Sequence, residues 1–581
     1  MKRIAIPIVF GTLQLAWVGA AFAQTQPSAG SLLRQQELAA PLKPLQRPGA
    51  AEKELVRPPM PEISGVSVLV KSVRFSGVDG LATPAELQSL VQSSIGKHIG
   101  YPQLLQLADR VTDFLKAKGW FLARAYLPQQ DLTDGTLEIA LLSARLDGGL
   151  AGIDLSKPGV RLSEQHIRGI LANTLLEAQT LGINSADLER ALLTLNEIPG
   201  INSQAALDRG KAPDTSRLQI SVTEGPLFMP SASFDNTGNR YTGTNRANGQ
   251  IRIMDPYGAG DAITLSAGAS QGMAQGAFSY SVPFGARGWS FATNASALRY
   301  ELGADLSAKA FTGTARTLGA NVSYPLILGN LLNLRGTLAA DYKALNDLGN
   351  GLSLRDKRLT TWSASLAGDS QDTLGGGAVN TFSINLVQGR LDLSKDAADL
   401  VLDLTTGRTH GNFAKINYAY GRLQKLPGAF SLFANLNGQI ANGNLDSAEK
   451  FILGGSGGVR AYPGGEASGD SGWTASLELR YDMPAPTSMG NLQWMAFVDT
   501  GGITLNKNVW GPAAITNFDN TNNYGLTGAG LGLTLSRSGS YNVRALWAQT
   551  VGSNPGRSVA GNNSDGLADK SRFLLVSSFY F

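Results

Sequence analysis

Apolar and polar positions follow two different rules along this chain, and the change falls near residue 226. Before it, apolar residues recur at helical spacing between short alternating runs. Val66, Val68 and Val70 alternate, and Val73 and Phe75 continue in shifted phase, which predicts a strand with a bulge. Thr83-Pro84-Ala85-Glu86 combines a capping box with Pro at the first helical position, and Leu87, Leu90, Val91 and Ile95 follow at helical spacing. Leu104, Leu107, Ala108, Val111 and Leu115 mark a second helix that stops at Gly119. Strands at 120–127 and 136–142 complete a β-α-α-β-β unit over 65–145. Residues 146–225 repeat that order. Ser163 caps a helix bearing Ile167, Ile170, Leu171 and Leu175, and Ser185 caps one bearing Leu188, Leu192 and Leu195. Strands at 201–207 and 217–222 follow, so a unit of about 80 residues is duplicated.

From 226 to 581 the helical period gives way to sixteen alternating segments, the first at 229–237 and the last at 571–581. Each takes about 22 residues with its connection, as expected for membrane-crossing strands. Short connections such as Pro427-Gly428 alternate with long ones at 394–410, 443–472, 506–523 and 553–570. Transmembrane barrels have short turns at one end and longer loops at the other. The faces sort accordingly. Trp473, Ala475, Leu477, Leu479 and Tyr481 are expected to face lipid, and Ser476, Glu478 and Arg480 the lumen. Leu492, Trp494, Ala496 and Val498 point outward, with Gln493, Met495, Phe497 and Asp499 inward. A charge at the lipid midplane costs about 2–4 kcal/mol, which enforces this sorting. The last segment carries Phe573, Leu575, Phe579 and Phe581 on one face, interrupted by Ser577. A soluble β sandwich also alternates, but it gives no reason for a terminal aromatic face.

The first 64 residues differ from both regions. Met1-Lys2-Arg3, a mostly apolar stretch over 4–20 and Ala21-Phe22-Ala23 form a signal peptide over 1–23. Residues 24–40 hold a short helix with Leu33 and Leu38 on one side, and a Pro-rich linker over 41–64 contains Pro41, Pro44, Pro48, Pro58, Pro59 and Pro61. Composition narrows the chemistry. The 581 residues include 69 Gly and no Cys, and only 16% are charged, against a typical ~25%. Without Cys there are no disulfides, thiolate metal sites or cysteine nucleophiles. His98, His166 and His410 are too scattered for a metal site, and a net charge of +4 does not argue for nucleic acid. Gly454-Gly455-Ser456-Gly457-Gly458 fits G-x-S-x-G, but a nucleophile elbow needs a strand-to-helix turn and a His base, and neither is nearby. No catalytic residue, metal or cofactor is expected.

The longest loop runs Leu453-Gly454-Gly455-Ser456-Gly457-Gly458-Val459-Arg460-Ala461-Tyr462-Pro463-Gly464, between expected strands eleven and twelve. Together with Phe497-Val498-Asp499-Thr500-Gly501 on strand thirteen, it resembles the TpsB family, the outer-membrane transporters of two-partner secretion, within the BamA-type superfamily. The resemblance implies a sixth loop folded back into the barrel, with its tip at Gly458, Val459, Arg460, Ala461 and Tyr462. Ala461 stands where the family usually has Gly. Phe497, Asp499 and Gly501 match the wall motif F-x-D-x-G, so Arg460 is expected to contact Asp499. Physics agrees: the planar guanidinium fork matches a carboxylate, and a desolvated Arg needs a partner. The resemblance also implies two POTRA domains (65–145 and 146–225), a plug helix with its linker, and a sixteen-stranded barrel that starts near Leu227 with Ser231-Ala232-Ser233-Phe234-Asp235-Asn236. Phe573, Leu575, Phe579 and Phe581 resemble the signal read by outer-membrane assembly machinery. The implied function is a pore in the bacterial outer membrane whose periplasmic POTRA domains recognise a large TpsA-type exoprotein and secrete or activate it. Outer-membrane lipid and the assembly machinery are the other implied partners. An assembly insertase of the same superfamily and a passive porin are the alternatives.

Overall fold

The computed structural model describes residues 26–37, 67–77, 80–212, 214–484 and 487–581. The expected signal peptide and Pro-rich linker lie outside the described residues, as does Leu38.

In the first α/β unit, Ser72–Gly77 runs parallel to Thr136–Leu142, which pairs antiparallel with Arg124–Tyr126. Helices Pro84–Val91 and Tyr101–Ala117 cover the sheet. Leu87, Val91, Leu104, Leu107, Val111 and Leu115 are buried in one cluster with Leu137 and Ile139. The phase shift after Val70 is not a bulge. Ser67–Leu69 pairs with His98–Gly100 in a separate ribbon, so the chain changes partner there. The expected strand at 120–127 shortens to Arg124–Tyr126. The capping box forms in both directions: Glu86 N–H donates to Thr83 Oγ1 (3.3 Å) and Thr83 N–H to Glu86 Oε2 (2.9 Å). Lys118 Nζ adds 2.7 Å contacts to Glu86, and these bonds hold its carboxyl down at about 2.

The second unit has the same strand order. Arg145–Leu146 and Asp154–Ser156 run parallel to Thr215–Glu224, which pairs antiparallel with Ile201–Arg209. Arg145 therefore belongs to this second sheet. Helices Glu164–Thr174 and Ser185–Asn196 cover it. Ser163 caps the first. Asn184, not Ser185, caps the second: Asn184 is the last extended residue, and its Oδ1 accepts from Ala186 N–H at 2.9 Å.

Sixteen antiparallel strands then close into a barrel, from Phe228–Asp235 to Ser571–Tyr580. The first and last strands pair over 231–235 and 576–580. No helix among the described residues is long and apolar enough to cross a membrane. The inside-outside alternation is clean on strands twelve (Ser471–Asp482) and thirteen (Asn491–Thr504). Trp473, Leu477, Leu479, Trp494 and Val498 are exposed outside, while Glu478, Met495, Phe497 and Asp499 are buried inside. Connection lengths alternate less regularly than expected. At the end far from the α/β units, the connections at 271–272 and 350–351 are only two residues. Around the second of these, strands Phe311–Leu328, Leu332–Gly349 and Leu352–Asp372 reach 18, 18 and 21 residues. Chain that a loop would have used continues the ladder instead.

The second unit docks on the near-end turns. Ser163 N–H donates to Gly258 O (3.0 Å), Arg161 Nη2 to Met254 O (3.1 Å), and Asn330 N–H to Glu189 Oε1 (2.6 Å). Arg335 on strand seven pairs with Glu197. Helix Ala29–Glu37 sits inside the barrel. Its buried stripe is Ala29, Leu32 and Leu33, packed in one cluster with Leu298, Tyr300, Leu345 and Leu359.

Candidate functional site

The connection between strands eleven (Phe430–Ala441) and twelve returns into the lumen. Phe451–Ile452 pairs with Ser468–Gly469, and the chain between them makes the tip. Val459 N–H closes the turn on Leu453 O at 2.8 Å. A Cβ at Gly458 would stand 2.1 Å from that same oxygen, and Gly455 has φ +112°, so both positions need glycine.

Arg460, only 6% exposed, is saturated with partners. Its Nε donates to Asp499 Oδ2 (2.8 Å) and Nη2 to Asp499 Oδ1 (2.7 Å), a bidentate fork. Its backbone N–H reaches the same carboxylate at 3.1 Å. Nη1 donates to Glu478 Oε1 (2.6 Å) and Nη2 to Ser476 Oγ (2.9 Å). The guanidinium lies over the Phe497 ring, 3.6 Å from its centroid. Arg480 and Arg544 also bind Glu478. Three cations thus share two buried carboxylates on the inner wall.

Phe497, Asp499 and Gly501 each have a distinct part in this geometry. The three residues share the inner face at every second position. Phe497 is the platform, Asp499 the acceptor. At Gly501 a Cβ would stand 2.4 Å from Leu453 Cδ1, so glycine leaves room for the loop. The facing strand, Asn523–Arg537, contributes three more such glycines. A Cβ at Gly528 would lie 2.6 Å from Ala461 Cβ, at Gly530 2.5 Å from the Phe497 ring, and at Gly532 2.4 Å from Leu546 Cδ2. Ala461 is fully buried and is absent from the positive-φ residues, so its Cβ meets no backbone penalty. Tyr462 is buried beside it. Alternation placed Glu478 in the lumen with Ser476 and Arg480 but gave no sign of its bond to Arg460. The Gly528-x-Gly530-x-Gly532 stripe, three glycines at period two, is a further signal in the sequence.

The lumen helix touches both wall and loop. Asp347 Oδ1 accepts from Ala29 N–H (2.9 Å) and from Tyr300 Oη (2.7 Å), so a barrel-wall carboxylate caps the first turn. Lys343 Nζ bridges Glu37 (2.7 Å) and Glu449 of loop six (3.2 Å), and Lys415 pairs with Glu449 at 2.7 Å. Arg34 Nε donates to Lys450 O at 3.3 Å. Gly30 lies so close to the loop that a Cβ there would be 2.9 Å from Ala448 N.

The terminal aromatic residues lie elsewhere. Phe573 and Phe581 are 59% and 79% exposed, Leu575 is exposed and Phe579 half-buried. They are not brought to loop six. Phe573 pairs with Trp547, and Phe581 N–H reaches Pro230 O across the closing seam.

The architecture is a closed sixteen-strand barrel with a loop and a helix in its lumen and α/β units at one end. The family model described as haemolysin secretion/activation protein ShlB/FhaC/HecB matches residues 214–535, and the ShlB-type POTRA domain matches 68–143. The first match covers more than half of the chain, which belongs to that family. The heme/hemopexin transporter protein HuxB of Haemophilus influenzae is 28% identical over 494 residues, covering 84% of this chain and 83% of HuxB. The outer membrane transporter CdiB of Dickeya dadantii is 23% identical, covering 78% and 80%. The solved structure of CdiB from Escherichia coli superposes with a TM-score of 0.73 at 20% identity, covering 96% of this chain and all of that one. The protein is an outer-membrane transporter of two-partner secretion, which exports a partner exoprotein. Its barrel lies in the bacterial outer membrane and its POTRA region in the periplasm. The matched relatives are transporters rather than enzymes.

Proposed function

We propose that loop six and the lumen helix close one pore by two different means, and that export requires the helix to leave while the loop tip stays clamped by Arg460. The supporting observation is the cavity left beside the helix. It measures about 470 Å³ and lies between Leu33, Gln36 and Glu37 and the wall of the first five strands and the last. Ser231, Ser233, Asn248, Gln250, Ser266 and Gln275 line it, all neutral and polar. Ala232, Ala267, Ala277, Ala297 and Leu298 complete the wall, and the one charged group in the lining is Glu37 of the helix itself, so the wall offers an extended chain no charge to hold it in transit. Withdrawal of the helix widens this path.

In this reading the first α/β unit captures the unfolded partner before export. Its sheet edge Arg124–Tyr126 has one neighbour among the described residues, and an incoming strand added there gains backbone bonds with little demand on sequence. The partner is a large secreted protein, which folds outside. Phe573, Leu575, Phe579 and Phe581 present the face that the assembly machinery reads when the barrel is inserted. The test is conductance in planar bilayers. Deleting 26–37 is expected to raise single-channel current severalfold, and unchanged current would remove the helix from any closing role.

A further inference from the structure

The outside of the barrel carries a pair of arginines that the export function does not use. Leu298, Tyr300 and Ala315 are buried toward the lumen, so Arg299 and Arg316 between them face outward, and both are exposed. They stand on neighbouring strands, Trp289–Glu301 and Phe311–Leu328. Arg299 is opposite Thr314 and Arg316 opposite Ala297, which makes the two arginines diagonal neighbours. Both line one groove of about 610 Å³ on the outer wall. The rest of its lining is uncharged and largely small, including Ala274, Gly276, Thr312 and Asn346. Neither guanidinium has a hydrogen-bond or ion-pair partner among the described residues.

Their height on the wall is set by what lies below and above. One outward position toward the membrane stands Leu318, 59% exposed, and Phe278 at 40% continues that apolar belt. Toward the cell exterior, the strand of Arg299 ends two residues later at Glu301. The pair therefore marks the outer edge of the hydrocarbon, at the level of the outer-leaflet head groups. Glu301, exposed on the same outward face two residues above Arg299, forms no ion pair with either arginine among the described residues. The two adjacent cations therefore repel each other, and an anion between them removes that repulsion. Guanidinium forks match phosphate oxygens bidentately. Basic pockets at membrane surfaces bind phosphorylated lipid heads by the same chemistry.

We propose that Arg299 and Arg316 form a binding site for a phosphorylated glycolipid of the outer leaflet. One sugar phosphate sits between the two guanidinium groups. The groove over Ala274, Gly276 and Ala297 takes the sugar, and the acyl chains run down past Leu318 and Phe278.

Native mass spectrometry of the full chain in detergent tests this, with purified bisphosphorylated lipid A as the probe. The wild type is expected to retain it, and Arg299→Ser/Arg316→Ser to bind about tenfold more weakly or worse, since a charge-assisted fork is lost. Arg299→Lys/Arg316→Lys should fall between the two, because the charge remains and the fork does not. Unchanged heat-modifiable gel mobility checks that each barrel is folded, and the single variant Arg316→Gln carries the test if the double variant is not. Dephosphorylated lipid A and inorganic phosphate should not occupy the site. The proposal is overturned if the serine variant binds like the wild type, if the dephosphorylated lipid binds equally well, or if inorganic phosphate or phosphatidylglycerol occupies the site as fully as lipid A.

Discussion

The two occupants of the lumen are held by opposite physics. Loop six is anchored by a desolvated charge: Arg460, Glu478 and Asp499 are 6%, 4% and 1% exposed. Removing one partner from such a network costs about 3–5 kcal/mol, because the other charges stay buried without compensation. Leu453, Val459, Ala461 and Tyr462 add a dry apolar shell. The helix has a weaker grip. Only Ala29, Leu32 and Leu33 pack against the wall, and burying a leucine contributes about 1.5–3 kcal/mol. Its charged contacts are Glu37, whose side chain is 33% exposed, and Arg34, at 13%, which reaches loop six only through the Lys450 carbonyl. A nine-residue helix is also marginal in water once it leaves. In the export route proposed above, the helix, held by fewer buried charges than the loop, is the occupant that leaves.

The largest effect is expected from breaking the clamp. Arg460→Ala leaves Asp499 buried with no cation and only Ser476 as a side-chain partner, while Glu478 keeps Arg480 and Arg544. Secretion of the partner into the medium should fall by about tenfold or more, as a loss of over 1.4 kcal/mol in the active arrangement implies. The barrel should still insert and remain heat-modifiable on gels, since its sixteen-strand ladder does not depend on the loop. Export at the wild-type level would show that the clamp is not needed for transport, and would erase the contrast between the two occupants.

A smaller effect belongs to the helix contact. Lys343→Ala removes the bridge between Glu37 and Glu449, yet Glu449 keeps Lys415 at 2.7 Å. The pore should open more often in planar bilayers, but less than after deletion of 26–37, because Leu32, Leu33 and the Asp347 cap remain. Conductance equal to that of the deletion would mean that this one lysine holds the whole helix.

The strands were legible because the barrel has two solvents. Lipid outside and water inside force period two onto each crossing, as Trp473 to Tyr481 illustrates. The Arg460 and Asp499 positions were legible through the family motif, and alternation placed Asp499 inward without it. Three things were not. The depth of loop six depends on Gly501 and Gly528, whose missing side chains leave room for Leu453 and Ala461, 48 and 67 residues away in sequence. Glu478 looked like any inward polar residue until the loop arrived beside it. The two-residue connections at 271–272 and 350–351 were hidden because loop residues and extended strand residues carry the same alternation.

The smallest effect sharpens the account of the loop tip. Ala461 occupies a position where the family usually has Gly, yet its backbone is not in the left-handed region. Ala461→Gly therefore relieves no strain. It adds freedom to the unfolded chain and should cost about 0.5–1 kcal/mol in thermal stability, with secretion unchanged. The informative partner is Gly528, where an added Cβ would stand 2.6 Å from Ala461 Cβ. Gly528→Ala alone should push the tip off the wall and reduce secretion. Combined with Ala461→Gly, the same substitution has room, and secretion should recover. A double-mutant cycle reads this as coupling between two residues 67 positions apart. Strict additivity would mean that the tip does not rest on the strand Asn523–Arg537 when the transporter works.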